Sequence, residues 1–174
     1  MAGRFDLPAP RGTSYLASSR EVAARERLGT QIRKALGGES VLETVLRAAD
    51  GPVVVSDVAI TTVRSANLPV KPAGAWINRS LWAGTGSYGV TQAWAASFDA
   101  AGFDSIVYPP RFSLGQRDRS LAMFGAAGAP AKPAPVGETV DLRDVLRQAG
   151  VRVVSPPRRA GPAILPASSP PPPL

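Results

Sequence analysis

Proline limits how much of this chain can pack. From Ser155 onward proline dominates, and the chain closes on Pro170-Pro171-Pro172-Pro173. Proline fixes φ and donates no backbone hydrogen bond, so residues 155–174 are expected to be disordered or polyproline II. A second proline-rich stretch runs from Pro130 to Pro135 and reads as a linker, residues 130–138, ahead of a terminal helix and strand. The packable part is therefore residues 1–154. At 44% hydrophobic residues over the 174-residue chain, that is enough for one ordinary core.

Composition excludes several kinds of chemistry. The chain has no Cys and no His, which removes disulfides, thiolate or imidazole metal ligands and the usual triad base. Carboxylates, hydroxyls, Arg and Lys are what remain, and no metal site is expected. The net charge is +7, and only Lys34, Lys71 and Lys132 among 20 basic residues are lysines. Arginine forms two-pronged contacts with phosphates, so anionic phosphate-bearing partners suit this chain. An Ala/Gly/Pro/Arg-rich composition also follows from genome base composition alone. There is no apolar run long enough to span a bilayer, and Arg4, Asp6 and Pro8 interrupt any signal-peptide core. The expected location is the cytoplasm, with no membrane partner.

The elements read as α+β, in small mixed sheets with helices. Ser18-Ser19-Arg20-Glu21 fits a capping box, with the Ser18 hydroxyl accepting from the first turn and Glu21 reaching back, worth about 1 kcal/mol. A helix over 19–36 follows, with Val22, Ala24, Leu28, Ile32, Ala35 and Leu36 on one arc and Gly37-Gly38 as its stop. Glu26 falls at the rim of that arc, where a side chain overlooks a cleft. Ser40-Val41-Leu42-Glu43 repeats the capping signature and predicts a second short helix, ended by Asp50-Gly51 before the strand Val53-Val54-Val55. Strands are predicted at Ile60 to Val63, Ser105 to Tyr108, Leu121 to Phe124 and Val151 to Val154. Helices are predicted over 90–101, capped by Gly102, and from Asp141 to Ala149, closed by Gly150. No internal repeat and no regular βαβ alternation occurs.

Two motifs dissolve in context. Gly84-Thr85-Gly86-Ser87-Tyr88-Gly89 matches the dinucleotide-binding pattern. The residues before it, Ile77-Asn78-Arg79-Ser80-Leu81-Trp82, are too polar for a buried parallel strand, and Asp104 precedes the next strand instead of ending it. A glycine-rich loop into a helix is the better reading. Asn78-Arg79-Ser80 is a glycosylation sequon only in form, since no signal peptide leads it to that machinery.

Taken singly, Arg4 reads as a solvated terminal charge, Tyr15 as a strand residue and Glu26 as an exposed helix residue. Their arrangement says more. Gly3-Arg4-Phe5 is followed by Tyr15-Leu16-Ala17, eleven residues after the Arg, and then by Glu26, eleven after the Tyr. Downstream come Leu81-Trp82-Ala83-Gly84, Val90-Thr91-Gln92-Ala93-Trp94-Ala95, Gly102-Phe103-Asp104, Tyr108 to Arg111, and Leu121-Ala122-Met123-Phe124-Gly125. Over residues 3–154 this pattern resembles the RES-domain family, named for an Arg, a Glu and a Ser.

The resemblance implies an ADP-ribosyltransferase-like fold and a toxin of a bacterial toxin–antitoxin pair that degrades NAD. NAD would be substrate, not cofactor, and the bond between nicotinamide and ribose would break, with water or phosphate as acceptor. Glu26 and Arg4 are then the catalytic pair, and Tyr15, Tyr108 and Arg111 bind substrate. The implied partner is a helix-turn-helix antitoxin, with nucleic acid reached only through it. Two departures stand out. Pro110 occupies the place of the family Ser, removing a hydrogen bond worth about 1.5–3 kcal/mol, roughly ten- to a hundred-fold. Ser113, three residues on, lies on the other face of an extended chain. The resemblance also implies an earlier strand with a further Arg ahead of Gly3-Arg4-Phe5. Both departures suit an alternative, a catalytically degenerate member that only binds a partner or nucleotide. A basic nucleic-acid-binding protein ranks last, because no helix-turn-helix, zinc spacing or aromatic-basic interleaving supports it.

Overall fold

The computed structural model describes residues 3–35, 37–48, 51–61, 63–68, 88–113, 115–128 and 134–156. The glycine-rich motif at Gly84, the sequon and the tail beyond Pro156 lie outside the described residues. Within them the fold is α+β, with small mixed sheets and three α-helices.

A four-stranded sheet carries the first half of the core. It uses β1 (Arg11–Ala17), β7 (Ser65–Asn67), β8 (Ser105–Tyr108) and β9 (Ser120–Ala126), in the order β1-β9-β8-β7. The β1–β9 and β8–β9 pairs are antiparallel, and β7–β8 is parallel. Helix α2 (Gly89–Ala100) covers this sheet. Its Thr91, Trp94, Ala95 and Phe98 recur at helical spacing, and the last three pack on Ile106, Ala122, Phe124 and Phe5. Phe98 meets Phe103 edge-on at 5.5 Å, beyond the Gly102 turn.

A second core gathers α1 (Arg20–Leu28) and α3 (Leu142–Gln148) on a three-stranded sheet of β2 (Arg33–Ala35), β3 (Gly38–Leu42) and β11 (Arg152–Val154). Leu142, Val145 and Leu146 form the inward stripe of α3, against Ala24, Leu28, Val41 and Val151. Asp141 caps α3 by accepting from the Arg143 amide at 2.7 Å. Two small ribbons complete the fold: β4 (Arg47–Ala48) with β5 (Gly51–Pro52), and β6 (Val54–Val58) with β10 (Pro135–Asp141).

Several sequence expectations are corrected here. The helix expected over 19–36 ends at Leu28, because Gly29 adopts φ +52 and its amide turns back to the Arg25 carbonyl. A single 3-10 turn, Gly29–Gln31, then leads into β2. The cap is Ser19, whose hydroxyl accepts from Val22 at 3.2 Å; Ser18 instead accepts from the Arg119 amide, and Glu21 pairs with Arg25. The second predicted helix is strand β3 followed by a 3-10 turn, Glu43–Leu46. Parallel pairing with β11, more than a hundred residues away, overrides the local capping signature. The described residues of Ile60 to Val63 are not a strand; the ladder starts at Ser65. The predicted linker 130–138 holds the first residues of β10, from Pro135, which lies at the strand's start.

Candidate functional site

The α1 helix turns two faces to its surroundings. Val22, Ala24, Arg25 and Leu28 are buried, Ala24 and Leu28 in the second core. Ala23, Glu26 and Arg27, related by three and four residues, share the other face and line a cavity of about 360 Å³. The rim position expected for Glu26 thus opens on a cleft. Arg4, Tyr15, Tyr108 and Arg111 line the same cavity, so all five residues singled out from the sequence meet in one place.

Each is held from a different direction. Glu26 Oε1 accepts a hydrogen bond at 2.8 Å from the backbone amide of Phe112, just past the end of β8. That contact leaves its second oxygen for other partners. Gly29 makes the approach of this loop possible: a Cβ there would lie 3.0 Å from the Phe112 ring. At the opposite wall, the first turn of α2 grips the N-terminal segment. The Thr91 hydroxyl donates to the Arg4 carbonyl at 2.6 Å, and Gln92 Nε2 donates to the Gly3 carbonyl at 3.0 Å. The Arg4 guanidinium stands 5.8 Å from the centre of the Tyr108 ring, and its Nε is buried without a hydrogen-bond partner among the described residues.

Tyr15 projects from β1 with its hydroxyl engaged by the protein. It accepts from the Phe5 amide at 2.8 Å and donates to Asp6 Oδ1 at 2.8 Å. Asp6 in turn accepts from the Gly3 amide. Thr13, two residues earlier on the same face, donates to the Phe5 carbonyl at 2.8 Å. These contacts fold residues 3–7 back along β1, while 41% of Tyr15 stays exposed, leaving part of its ring open to a ligand.

Tyr108 occupies the floor, 5% exposed, with the Phe5 ring tilted against it at 4.9 Å. Burial, and then the nearby Glu26 charge, push its hydroxyl up to about 12. Burial and the Asp6 carboxylate likewise raise Tyr15. Both phenols are therefore neutral donors at physiological pH. Among the described residues, three guanidinium groups, Arg4, Arg27 and Arg111, line the cavity against one carboxylate, Glu26. That balance attracts an anion while keeping one fixed negative charge.

Sequence reasoning missed Ser120, Arg27 and Phe112. Ser120 opens β9 directly opposite Tyr108, lines the cavity and is 2% exposed. Only the strand register, which the local sequence does not reveal, brings it there. Ser113 is not available to replace the family Ser. Its hydroxyl is bonded to Asp118 and it does not line the cavity.

The mixed α+β fold thus carries an Arg- and Tyr-lined cleft around a backbone-anchored carboxylate. The model of the RES domain matches residues 1–144, and the chain belongs to the RES-domain family. No match is found among curated proteins or solved structures. No helix among the described residues is long and apolar enough to cross a membrane.

Proposed function

We propose that this RES-domain protein is a toxin-like enzyme that cleaves NAD at the nicotinamide–ribose bond. The observation that carries the reading is the meeting of Arg4, Tyr15, Glu26, Tyr108 and Arg111 in one cavity, from positions as far apart as the N-terminus and the loop after β8. The leaving nicotinamide is a cationic pyridinium in the substrate. It departs with the bonding electron pair as a neutral base and needs no general acid, so a chain without His can perform the step. Positive charge develops on the ribose, and the Glu26 carboxylate, fixed by the Phe112 amide, stabilises it. Water or phosphate then attacks the ribosyl carbon, releasing ADP-ribose or its phosphate ester and, with water, a proton.

Arg4 and Arg111 serve the pyrophosphate by charge-assisted hydrogen bonds, and the open part of the Tyr15 ring stacks on a ring of the dinucleotide. An ADP-ribosyltransferase-like ancestry, a cytoplasmic site of action and a helix-turn-helix antitoxin as partner belong to the same proposal. The test is nicotinamide release from NAD by the purified chain, with and without phosphate, beside Glu26→Gln. Release that falls at least a hundred-fold in the variant supports an enzyme, and its phosphate dependence names the acceptor. A folded wild-type chain that binds NAD but releases nothing would make this a binding-only member of the family.

A further inference from the structure

We propose that Ser120 is a ligand-binding residue, its hydroxyl donating to a phosphate oxygen at the floor of the cavity; this rests on the NAD reading only for the identity of the larger ligand. Ser120 is 2% exposed, and its Oγ makes no well-formed hydrogen bond among the described residues, although the Tyr108 hydroxyl lies close enough to feel it. A buried hydroxyl whose one neighbouring contact is poorly aligned keeps most of its bonding capacity unused, which calls for an explanation outside the fold's own bonding. Ser120 shares the cavity wall with Arg4, whose buried Nε also has no partner. Both neighbour Tyr108: Ser120 across the β8–β9 ladder, Arg4 with its guanidinium 5.8 Å from the ring. Two under-used donors that both neighbour Tyr108, in a cavity where guanidinium groups outnumber carboxylates among the described residues, suit the oxygens of an anion.

The hydroxyl turns among three staggered rotamers, so a ligand oxygen reaching the floor recruits it without moving the backbone. The chain has Pro110, which carries no hydroxyl, two residues after Tyr108, and Ser113 is tied to Asp118. Ser120 therefore supplies from β9 the serine contact that the loop after β8 lacks.

The test measures binding of ADP-ribose and of inorganic pyrophosphate to the full chain and to Ser120→Ala and Ser120→Cys, by calorimetric titration, together with the melting temperature of each ligand-free chain. The expected result is a dissociation constant for both probes raised ten- to a hundred-fold in both variants. The ligand-free melting temperature should stay nearly level, since the hydroxyl makes no well-formed bond to the fold. Unchanged affinity in the variants would overturn the proposal while leaving the NAD reading intact. A ligand-free melting temperature lowered by several degrees in both variants would overturn it too, by showing that the hydroxyl serves the fold. If the wild-type chain ignores ADP-ribose yet binds pyrophosphate through Ser120, the anion contact stands and the NAD reading falls. Failure of the wild-type chain to bind either probe would sink both.

Discussion

Glu26 meets the chain again 86 residues downstream, where the Phe112 amide fixes one of its oxygens, and beside it Tyr108 is held neutral by burial and by that same carboxylate. This gives the site a signature in alkali. The Tyr108 pKa is raised from 10.0 to about 12 in the folded chain, so the folded state holds its proton where the unfolded state has lost it. Stability is thus fully present below pH 10 and falls as pH rises through 12, by on the order of 2–3 kcal/mol from this group. Tyr15, also raised, acts in the same direction. Urea unfolding followed from pH 9 to pH 12 should show a falling midpoint, and Tyr108→Phe should flatten the fall by one proton's worth. An equal slope in wild type and variant would show that Tyr108 ionises freely. A different residue-scale contrast lies on the other face of α1. Buried Arg25 pairs with Glu21 at 2.9 Å and Glu39 at 2.7 Å, tying the helix to β3, whereas the cavity guanidiniums form no ion pair with a carboxylate among the described residues and suit a ligand.

At the scale of elements, the decisive junction is the end of α1. Gly29 has φ +52, and a Cβ there would press on the Phe112 ring at 3.0 Å. Gly29→Ala is therefore expected to cost about 1–3 kcal/mol in urea unfolding. By shifting Phe112 it should also loosen Glu26, lowering nicotinamide release per folded molecule more than it raises KM for NAD. A variant that unfolds early but turns over normally would separate the turn from the site. The same junction shows what the sequence could and could not reveal. The apolar spacing of Val22, Ala24 and Leu28 was legible, as were Ser105 to Tyr108 and the α3 stripe, because each follows from local periodicity and its caps. The continuation to Leu36 was not, since Ile32 and Ala35 fit a helical wheel as well as they fit a strand entry, and Gly29 alone carries the stop. β3 was hidden for a second reason: its partners β2 and β11 lie on either side of it in sequence, and β11 is more than a hundred residues away. For the site, the spacing of Arg4, Tyr15 and Glu26 was visible through family resemblance, but Ser120 enters only through the pairing of β8 with β9.

Across the whole molecule, two hydrophobic cores flank the cavity, and each contributes one wall. The first, around Phe5, Ile106 and Ala122, supports Arg4, Tyr108 and Ser120; the second, around Leu28 and Leu146, supports α1 and with it Glu26 and Arg27. The wall that carries the carboxylate therefore depends on packing that never touches a ligand. Leu146 is fully buried in the second core and lines no part of the cavity. Leu146→Ala should destabilise the chain by about 2–5 kcal/mol, the range for deleting a buried leucine side chain. If α1 behaves as a rigid support, nicotinamide release per folded molecule, measured well below the melting transition, stays at the wild-type rate while the melting temperature drops. If instead the helix shifts on its weakened bed, release falls along with stability and the Gly29→Ala defect is reproduced from the opposite side. The first outcome is expected, because Glu26 is also anchored from outside the second core, by the Phe112 amide of the loop that leaves the four-stranded sheet.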